Sequence, residues 1–267
     1  MQVRKTLGSK EECHLNSVAQ SAVSVVAGLG EVGRPLLAVL ARAHRMKGTD
    51  LPPREIAEPV EFFHVCYPAE ANDFVEVTAG YVGRYRPEIV VIHSSVPVGT
   101  TRSVQAAVSV PVVHSPVRGK HACMDEELLR YPKFVAAADA VAAERAEHHF
   151  QAAGLQTQRL TSPEATELAK LTETTYFGLI IAFHQDVARM AEQAGAAYDE
   201  VIRFYEGIRY LPPVRYSPGI IGGHCVMPNI ALLKRTFDSR LLDAIEWSDE
   251  MRRKECSGGS ASPARPS

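Results

Sequence analysis

One segment constrains this chain more than any other: Gly28-Leu29-Gly30-Glu31-Val32-Gly33. The apolar run Val23–Ala27 before it has the pattern of a buried strand, and residues 34–42 after it have that of an amphipathic helix. Glycines at G-x-G-x-x-G spacing let backbone amides at a helix start approach a pyrophosphate closely, and the helix dipole favours the anion. The sequence therefore predicts a dinucleotide-binding loop, and all six of its residues are candidate cofactor ligands.

A carboxylate follows where the dinucleotide fingerprint needs one. Asp50 lies 22 residues past Gly28, at the end of the predicted second strand. There it would accept hydrogen bonds from an adenosine ribose and repel a 2′-phosphate, which favours NAD over NADP. The alternative is that Asp50 only begins the turn at Leu51-Pro52-Pro53.

The rest of the first half alternates short apolar runs with helix-like stretches. Apolar runs without polar alternation suit strands that are covered on both faces, so the fold class is α/β with a Rossmann doubly wound parallel sheet. The pattern changes near Ser162, where Pro163 resembles a helix start and the apolar period continues to Gly195. This predicts one long connecting helix of roughly 30 residues, or about 45 Å. An all-helical domain follows, with a helix over residues 198–206, an irregular stretch over 211–229 and a last helix to about Glu255.

These patterns divide the chain into four expected segments. Residues 1–20 form an N-terminal extension, 21–161 the NAD-binding domain, 162–255 a helical dimerisation and substrate domain, and 256–267 a disordered Gly/Ser/Pro tail. Because a helix this long usually spans a domain boundary or a subunit contact, we expect a homodimer. The apolar positions expected to bury against a partner or the sheet domain are Leu168, Leu171, Tyr176, Leu179, Ile180 and Phe183.

Composition excludes several function classes. Hydrophobic residues make up 46% of the 267 residues, and 29 Lys and Arg nearly balance 31 Asp and Glu, so no nucleic-acid partner is expected. The apolar runs are too short to span a membrane, and residues 1–20 lack a secretory h-region, so we expect a cytoplasmic protein. Five cysteines without C-x-x-C spacing argue against both a disulfide framework and a structural zinc site, and no metal is expected.

Further motifs identify a family resemblance. Three separated segments carry it: Ile92-His93-Ser94-Ser95-Val96-Pro97-Val98-Gly99-Thr100-Thr101, Glu167-Leu168-Ala169-Lys170 and Pro218-Gly219-Ile220-Ile221-Gly222-Gly223-His224-Cys225-Val226-Met227-Pro228. Their order and spacing resemble those of motifs in the UDP-glucose/GDP-mannose 6-dehydrogenases. The chain resembles this family over about residues 22–235. The resemblance implies NAD-dependent oxidation of an alcohol on a nucleotide sugar. In the family a third, nucleotide-sugar-binding domain follows, which we expect this chain to lack.

The resemblance also implies roles for individual residues. Cys225 would trap an aldehyde as a thiohemiacetal, Lys170 would stabilise an oxyanion or orient water, and Ser95 would contact the cofactor and a catalytic water. Taken singly, a cysteine is more often a small core residue and a helical lysine a solvated one. The cofactor-binding positions implied beside the glycine loop and Asp50 are Tyr67, Pro68, Ser94 and Ser95.

Three departures from the family pattern affect the expected chemistry. Thr174 replaces an asparagine, Asn229 replaces an aspartate, and Val117 of Ser115-Pro116-Val117 replaces a glutamate. Thr174 and Asn229 remain candidate catalytic positions. Because an amide and a valine cannot act as general bases, hydrolysis of a Cys225 thioester is expected to be impaired.

The loop that lost the glutamate gains cations at Arg118, Lys120 and His121. They suit a phosphate or carboxylate if they face the cleft, and form an exposed basic turn otherwise. The expected substrate is a small anionic molecule, namely a sugar nucleotide, a sugar phosphate or a hydroxy acid. Three further substrate-binding candidates come from the glycine loop of the second half: Gly222, Gly223 and His224.

Two other functions stay open. Pro116-Val117-Arg118-Gly119 and Lys170 also resemble the β-hydroxyacid dehydrogenases, which perform a single hydride transfer with lysine as acid and base and without a cysteine. Thr174 departs from that motif too. The other alternative is a catalytically degenerate chain that keeps the NAD site and dimer as a scaffold or sensor.

Overall fold

The computed structural model describes residues 22–69, 73–209, 216–222 and 225–258. The expected N-terminal extension and residues 259–267 of the expected tail lie outside these ranges. The chain divides between Lys170 and Leu171 into two compact units. The first unit holds a β-sheet with helices, and the second is helical.

The first unit confirms the predicted α/β fold. Its strands are β1 (Val23–Ala27), β2 (Met46–Thr49), β3 (Val60–Val65), β4 (Ile89–Ile92), β5 (Val112–His114), β6 (Lys133–Ala137) and β7 (Thr157–Arg159). Its helices are α1 (Gly33–Leu40), α2 (Phe74–Tyr85), α3 (Thr100–Ala107), α4 (Met124–Arg130) and α5 (Ala140–Ala152), and a 3-10 turn, His121–Cys123, precedes α4. Within the described residues the strand order is β2-β1-β3-β4-β5-β6-β7.

The order in which successive strands join the sheet changes sides at β1, with β2 on one side of it and β3 on the other. This strand pairs in parallel with β2 on one side and with β3 on the other. The chain reaches β2 through α1 and then returns past β1 to β3. Such a reversal leaves a crevice outside the carboxyl ends of the strands, where ligands bind in open α/β sheets. The glycine loop after β1 and the residues that follow β3 both lie at this edge.

Both faces of the sheet are covered by helices. Side chains alternate between the faces along each strand, so Phe62 and Val91 pack with α1, α4 and α5, whereas Phe63 and Val90 pack with α2 and α3. All four side chains are fully or almost fully buried. Burial on both faces explains why these strands are unbroken apolar runs in the sequence.

The sheet departs from the predicted parallel arrangement at β6, which runs antiparallel to β5. The Ser115 hydroxyl, one residue past β5, donates to the Phe134 carbonyl at 2.7 Å. The Lys133 amine donates to the Ser115 carbonyl at 2.7 Å. These bonds hold the first residues of β6 beside the last residues of β5. Strand β6 therefore leaves in the opposite direction, and β7 pairs in parallel with it.

The predicted long helix is α6 (Pro163–Ala194), a continuous helix of 32 residues that contains the division between the units. The second unit continues with α7 (Tyr198–Arg203), α8 (Val226–Lys234) and α9 (Arg240–Gly258). Helix α7 is shorter than predicted. Helix α9 includes residues 256–258, which were expected in the tail, because the Ser257 hydroxyl donates to the Lys254 carbonyl at 3.0 Å and satisfies one of the last carbonyls of the helix.

Close packing at a glycine joins two helices of the second unit. A Cβ atom at Gly178 of α6 would lie 2.5 Å from the Val226 side chain at the start of α8. The amide of Ile221 donates to the buried Asp249 carboxylate of α9 at 2.7 Å and ties the segment before α8 to this helix. Among the described residues, no helix is both long and apolar enough to cross a membrane.

Candidate functional site

Each of the three glycines of the β1–α1 loop is explained by a different structural feature. Gly28 has a φ of +90°, and a Cβ there would lie 2.6 Å from the Tyr67 amide nitrogen. A Cβ at Gly33 would lie 1.9 Å from the Gly28 carbonyl oxygen, so both positions exclude a side chain. A Cβ at Gly30 would have nothing within 4 Å among the described residues, and this residue is exposed. The fold therefore requires Gly28 and Gly33, whereas the space beside Gly30 is open to a ligand.

The neighbours of Gly30 are fixed by the scaffold. The Leu29 side chain packs beside Gly48 of β2, and Val32 is half-buried against the core. The Arg34 guanidinium donates to the Leu29 carbonyl at 2.6 Å. Glu31 is exposed.

Asp50 lies against the glycine loop, as the fingerprint predicts. Its carboxylate accepts a 3.3 Å hydrogen bond from the Leu29 amide and another of 3.3 Å from the Leu51 amide. The residue is exposed, and each carboxylate oxygen retains a further lone pair. Asp50 can thus order the loop and still accept hydrogen bonds from a ligand hydroxyl.

Tyr67 follows β3, but its hydroxyl is not presented to a ligand. Thr78 donates to the Phe74 carbonyl at 2.7 Å, so the Tyr67 hydroxyl donates to the Thr78 oxygen at 2.6 Å. The Tyr67 backbone remains against Gly28, and its carbonyl accepts the Ser94 hydroxyl at 2.6 Å. We therefore expect Tyr67 to contact a cofactor only through its backbone. The Ser94 hydroxyl instead holds the edge of the sheet through the Tyr67 carbonyl.

Pro68 and Ser95, which follow β3 and β4, both retain accessible surface. Pro68 is exposed and Ser95 is half-buried. Within the described residues the Ser95 hydroxyl has no hydrogen-bond partner. Ser95 is therefore better placed than Ser94 to bind a ligand through its hydroxyl.

The loop after β5, residues 115–120, presents Arg118. Its guanidinium carbon lies 5.2 Å from the Phe134 ring centre and 5.4 Å from that of Tyr131. Among the described residues no carboxylate pairs with it. Two aromatic rings thus hold a half-buried cation that retains its hydrogen-bonding capacity for an anion.

The other residues of this loop have different surroundings. The buried Glu127 carboxylate accepts the Lys120 amide at 3.2 Å and the Arg130 guanidinium at 2.9 Å. The Lys120 side chain is exposed. His121 begins the 3-10 turn, and its side chain lies outside the described part of the chain. Of the two predicted cations whose side chains are described, Arg118 is the one that aromatic rings hold.

A line of buried imidazoles behind this loop was not predicted. His93 Nδ1 lies 2.8 Å from the Ser115 carbonyl, His93 Nε2 lies 2.9 Å from His64 Nδ1, and His64 Nε2 lies 3.2 Å from His149 Nε2. We call these three residues, each at most 5% exposed, the imidazole chain. No three His, Cys, Asp or Glu side chains in the described ranges are arranged to bind a metal ion.

The Ser115 carbonyl fixes the protons of the imidazole chain. A carbonyl only accepts, so His93 Nδ1 must donate to it and His93 Nε2 must accept. His64 Nδ1 is then the donor to His93, and His149 Nε2 is the donor to His64. Burial lowers the pKa of His64 and His93 well below 6.5, and that of His149 to about 3. All three rings are therefore neutral near pH 7.

Lys133 reaches the same carbonyl from β6. Its side chain is 3% exposed, and its amine donates to Ser115 O at 2.7 Å. Burial lowers the pKa of Lys133 to about 7; the Cys66 thiol opposes this shift, and the charge of Lys170 adds to it. Lys133 is thus a buried amine within electrostatic range of the candidate catalytic lysine.

Lys170 lies one turn past a carboxylate that anchors α6. Glu167 is 1% exposed and accepts the Gly99 amide at 2.6 Å, the Thr101 amide at 2.8 Å and the Thr101 hydroxyl at 2.6 Å. Burial raises the pKa of Glu167, and these hydrogen bonds oppose the rise. Glu167 thereby fixes the first turns of α6 to the start of α3, while Lys170 is half-buried.

The second unit contains the remaining catalytic candidates. Cys225 is half-buried and occupies the N-cap of α8, where the first-turn amides and the helix dipole favour negative charge. The Asn229 amide donates to the Thr174 hydroxyl oxygen at 2.8 Å. Gly222 is exposed, and the predicted substrate residues Gly223 and His224 lie outside the described residues.

Comparison with protein families matches residues 164–251 to the UDP-glucose/GDP-mannose dehydrogenase family, central domain. A curated UDP-N-acetyl-D-mannosamine dehydrogenase from Methanocaldococcus jannaschii is 28% identical over 142 residues, which are 52% of this chain and 33% of that protein. The protein of the same name from Pyrococcus horikoshii is matched over 38% of its length. The chain thus spans between a third and two fifths of the length of these curated relatives.

Solved structures show the same fold. A UDP-D-ManNAc dehydrogenase from Pyrococcus horikoshii has a TM-score of 0.76 at 21% identity, over 88% of this chain and 70% of that one. A UDP-glucose dehydrogenase from Pyrobaculum islandicum has a TM-score of 0.74 at 21% identity, over 90% of this chain and 72% of that one. Together with the family match, these similarities confirm the resemblance that the sequence motifs indicated.

Proposed function

We propose that this chain, which is related to the UDP-glucose/GDP-mannose dehydrogenases through the central domain at residues 164–251, binds NAD and oxidises an alcohol of an anionic nucleotide sugar. The open space beside Gly30 carries the proposal. The fold requires glycine at positions 28 and 33 but not at position 30, so a close-approaching ligand explains the glycine at position 30.

The residues present fit NAD. The β1–α1 loop suits a pyrophosphate, and the exposed Asp50 carboxylate beside Leu29 suits a ribose with both hydroxyls. When bound, NAD supplies a hydride acceptor. Ser95, whose side chain is available at the same edge of the sheet, supports the contact to cofactor and water that the resemblance implies.

The substrate side of the proposal rests on Arg118, Lys170 and Cys225. Arg118 would pair with a phosphate or carboxylate of the substrate, since its fork of donors matches such groups. Lys170 would stabilise the oxyanion of the alcohol. The Cys225 thiol would add to the aldehyde carbon and hold it as a thiohemiacetal. Lys120, His121, Gly222, Gly223 and His224 remain proposed substrate residues.

A second candidate is a single two-electron oxidation that uses Lys170 without Cys225. The hydrogen bond between Asn229 and Thr174 favours it, because this pair lacks the carboxylate that the family pattern has at position 229.

A homodimer completes the proposal, supported by apolar side chains on α6. Tyr176, Phe183 and Met190 are 56%, 53% and 62% exposed and recur every seven residues, so they lie along one face of the helix. Leu171 is fully buried within the chain, whereas Leu168 is 39% exposed. The predicted contact face thus includes Tyr176 and Phe183 and extends to Met190.

Isothermal titration with NAD and NADP tests the cofactor assignment. We expect wild-type protein to bind NAD at least tenfold more tightly than NADP, and Asp50→Asn to reduce that preference because it removes the charge that repels a 2′-phosphate. Titration with UDP-N-acetyl-D-mannosamine, other nucleotide sugars and hydroxy acids then tests the substrate class. Equal affinity for both cofactors would contradict the role of Asp50.

A further inference from the structure

Buried groups hold Ser115 from several directions at the start of the loop that carries Arg118. Its carbonyl accepts from Lys133 Nζ at 2.7 Å and from His93 Nδ1 at 2.8 Å. Its hydroxyl donates to Phe134 O at 2.7 Å, and its amide donates to Ile92 O at 2.8 Å. Ser115 itself is fully buried. Every polar group of this residue is therefore engaged.

The two donors to the Ser115 carbonyl cannot be exchanged for water. A carbonyl oxygen has two lone pairs, and Lys133 and His93 occupy them. His93 is 1% exposed and Lys133 is 3% exposed. Loss of either donor leaves a buried carbonyl underbonded, which favours movement of the backbone toward solvent.

The imidazole chain keeps His93 in the orientation that this contact needs. A lone neutral imidazole can move its proton between its two nitrogens. Here His64 donates to His93 Nε2, and His149 donates to His64. The His93 proton is therefore held on Nδ1, toward Ser115.

Strand β6 links this anchor to Arg118. The Lys133 amine and the Phe134 carbonyl hold β6 to Ser115, and the Phe134 ring lies 5.2 Å from the Arg118 guanidinium carbon. Arg118 follows Ser115 by three residues. Two supports of the guanidinium, its own loop and the Phe134 ring, thus depend on the anchor at Ser115, and the Tyr131 ring is a third support.

We propose that Lys133 and the imidazole chain are positioning residues, which fix the Ser115 carbonyl and thereby hold Arg118 ready for the anionic group of the substrate. This inference rests on the function proposed above. It assigns a role to four buried side chains and predicts that their loss affects substrate affinity far more than NAD affinity.

A matched pair of substitutions at His93 tests the direction of the hydrogen bond. The amide of His93→Asn can donate from the place of Nδ1, whereas that of His93→Gln reaches the place of Nε2. Both replacements alter the residue next to Ser94 in similar ways. Lys133→Met removes the second donor, and Val91→Ala destabilises the same face of the sheet without touching Ser115.

The 267-residue chain is titrated separately with NAD and with UDP-N-acetyl-D-mannosamine, and amide hydrogen exchange is followed in residues 115–120. We expect His93→Gln and Lys133→Met to lower the affinity for the sugar nucleotide about tenfold or more and to change the affinity for NAD less than twofold. Both variants should also accelerate amide hydrogen exchange in residues 115–120. His93→Asn and Val91→Ala should resemble the wild type in all three measurements.

The two proposals fail in different ways. Unchanged exchange in residues 115–120, equal effects of His93→Asn and His93→Gln, or a parallel loss of both ligands would overturn the positioning role. A wild-type chain that binds neither ligand would overturn the proposed function, while the exchange comparison would still decide whether Lys133 and His93 fix the loop.

Discussion

Asn229 donates its side-chain amide to the Thr174 hydroxyl oxygen at 2.8 Å, and both residues are buried in the second unit. Thr174 in turn donates to the Leu171 carbonyl at 3.1 Å. Two of the three positions that depart from the family pattern therefore complement each other. Neither side chain can take up a proton near neutral pH, so the pair offers no general base.

The first prediction follows from this neutral pair and from Val117. General-base assistance commonly contributes about 10²–10⁴ in rate, so without it a Cys225 thioester should hydrolyse slowly. We expect one of two outcomes: an aldehyde-level product with one NADH per substrate consumed, or an acyl group on Cys225, formed with two NADH per enzyme molecule and followed by no further rapid turnover. Intact-protein mass spectrometry and NADH counting after incubation with NAD and a nucleotide sugar distinguish these products.

Variants identify which group carries the reaction. Rapid formation of two NADH per substrate over many turnovers would show that hydrolysis proceeds without those carboxylates. If Cys225→Ser retains turnover and Lys170→Ala loses it, the single oxidation through Lys170 is correct. NAD binding without turnover of any tested alcohol would favour the scaffold.

The second prediction separates the glycines of the β1–α1 loop. Gly30→Val should abolish NAD binding with little change in melting temperature, since the added side chain enters space that the protein leaves open. Gly33→Ala should lower the free energy of unfolding by about 1–3 kcal/mol or more, since its Cβ meets the Gly28 carbonyl. Calorimetry and thermal unfolding measure both. Tight NAD binding by Gly30→Val would contradict the assignment of the loop.

The sequence predicted those parts of the fold that local pattern determines. Apolar runs located the strands, and the span without helix breakers located α6 within one residue at each end. The expectation of a parallel sheet was wrong at β6, because a contact between Ser115 and Lys133, which are 18 residues apart, determines the direction of this strand. No local pattern encodes such a contact.

The same limit applies to the site. Glycine spacing located the loop, but the structure was needed to show that Gly30 alone has open space among its three glycines. His93 and His64 are 29 residues apart, and His64 and His149 are 85 apart. The one available signal was His64, which lies between the apolar residues Phe63 and Val65 of β3, and it does not indicate its partners.

The third prediction concerns the exposed apolar face of α6. The double variant Tyr176→Glu, Phe183→Glu should convert a dimer into a monomer, because it places charges in a contact that would otherwise bury two aromatic rings. Glu173→Gln, another exposed position on the helix, is the control. Sedimentation at micromolar concentration measures the mass. A wild-type monomer under these conditions would rule out the dimer.

The last prediction is a steep loss of stability on mild acidification. Burial lowers the pKa of His114 and His149 to about 3, and the pKa values of His64 and His93 also lie well below 6.5. Below pH 6.5 the unfolded chain therefore binds more protons than the folded one at these four sites, and at His114 and His149 this difference extends to about pH 3, so stability falls as the pH falls through this window. Each group contributes about 1.4 kcal/mol per pH unit.

Lys133 acts in the same direction at higher pH. With a pKa of about 7 in the fold and 10.5 as its ordinary value, it makes stability rise between pH 7 and pH 10.5, because the unfolded chain again holds the extra proton. Chemical denaturation at a series of pH values measures both windows. His149→Gln keeps a donor to His64 but cannot titrate, so its slope between pH 6.5 and pH 3 should be shallower by about 1.4 kcal/mol per unit. An unchanged slope in this variant would show that His149 is not held neutral in the core.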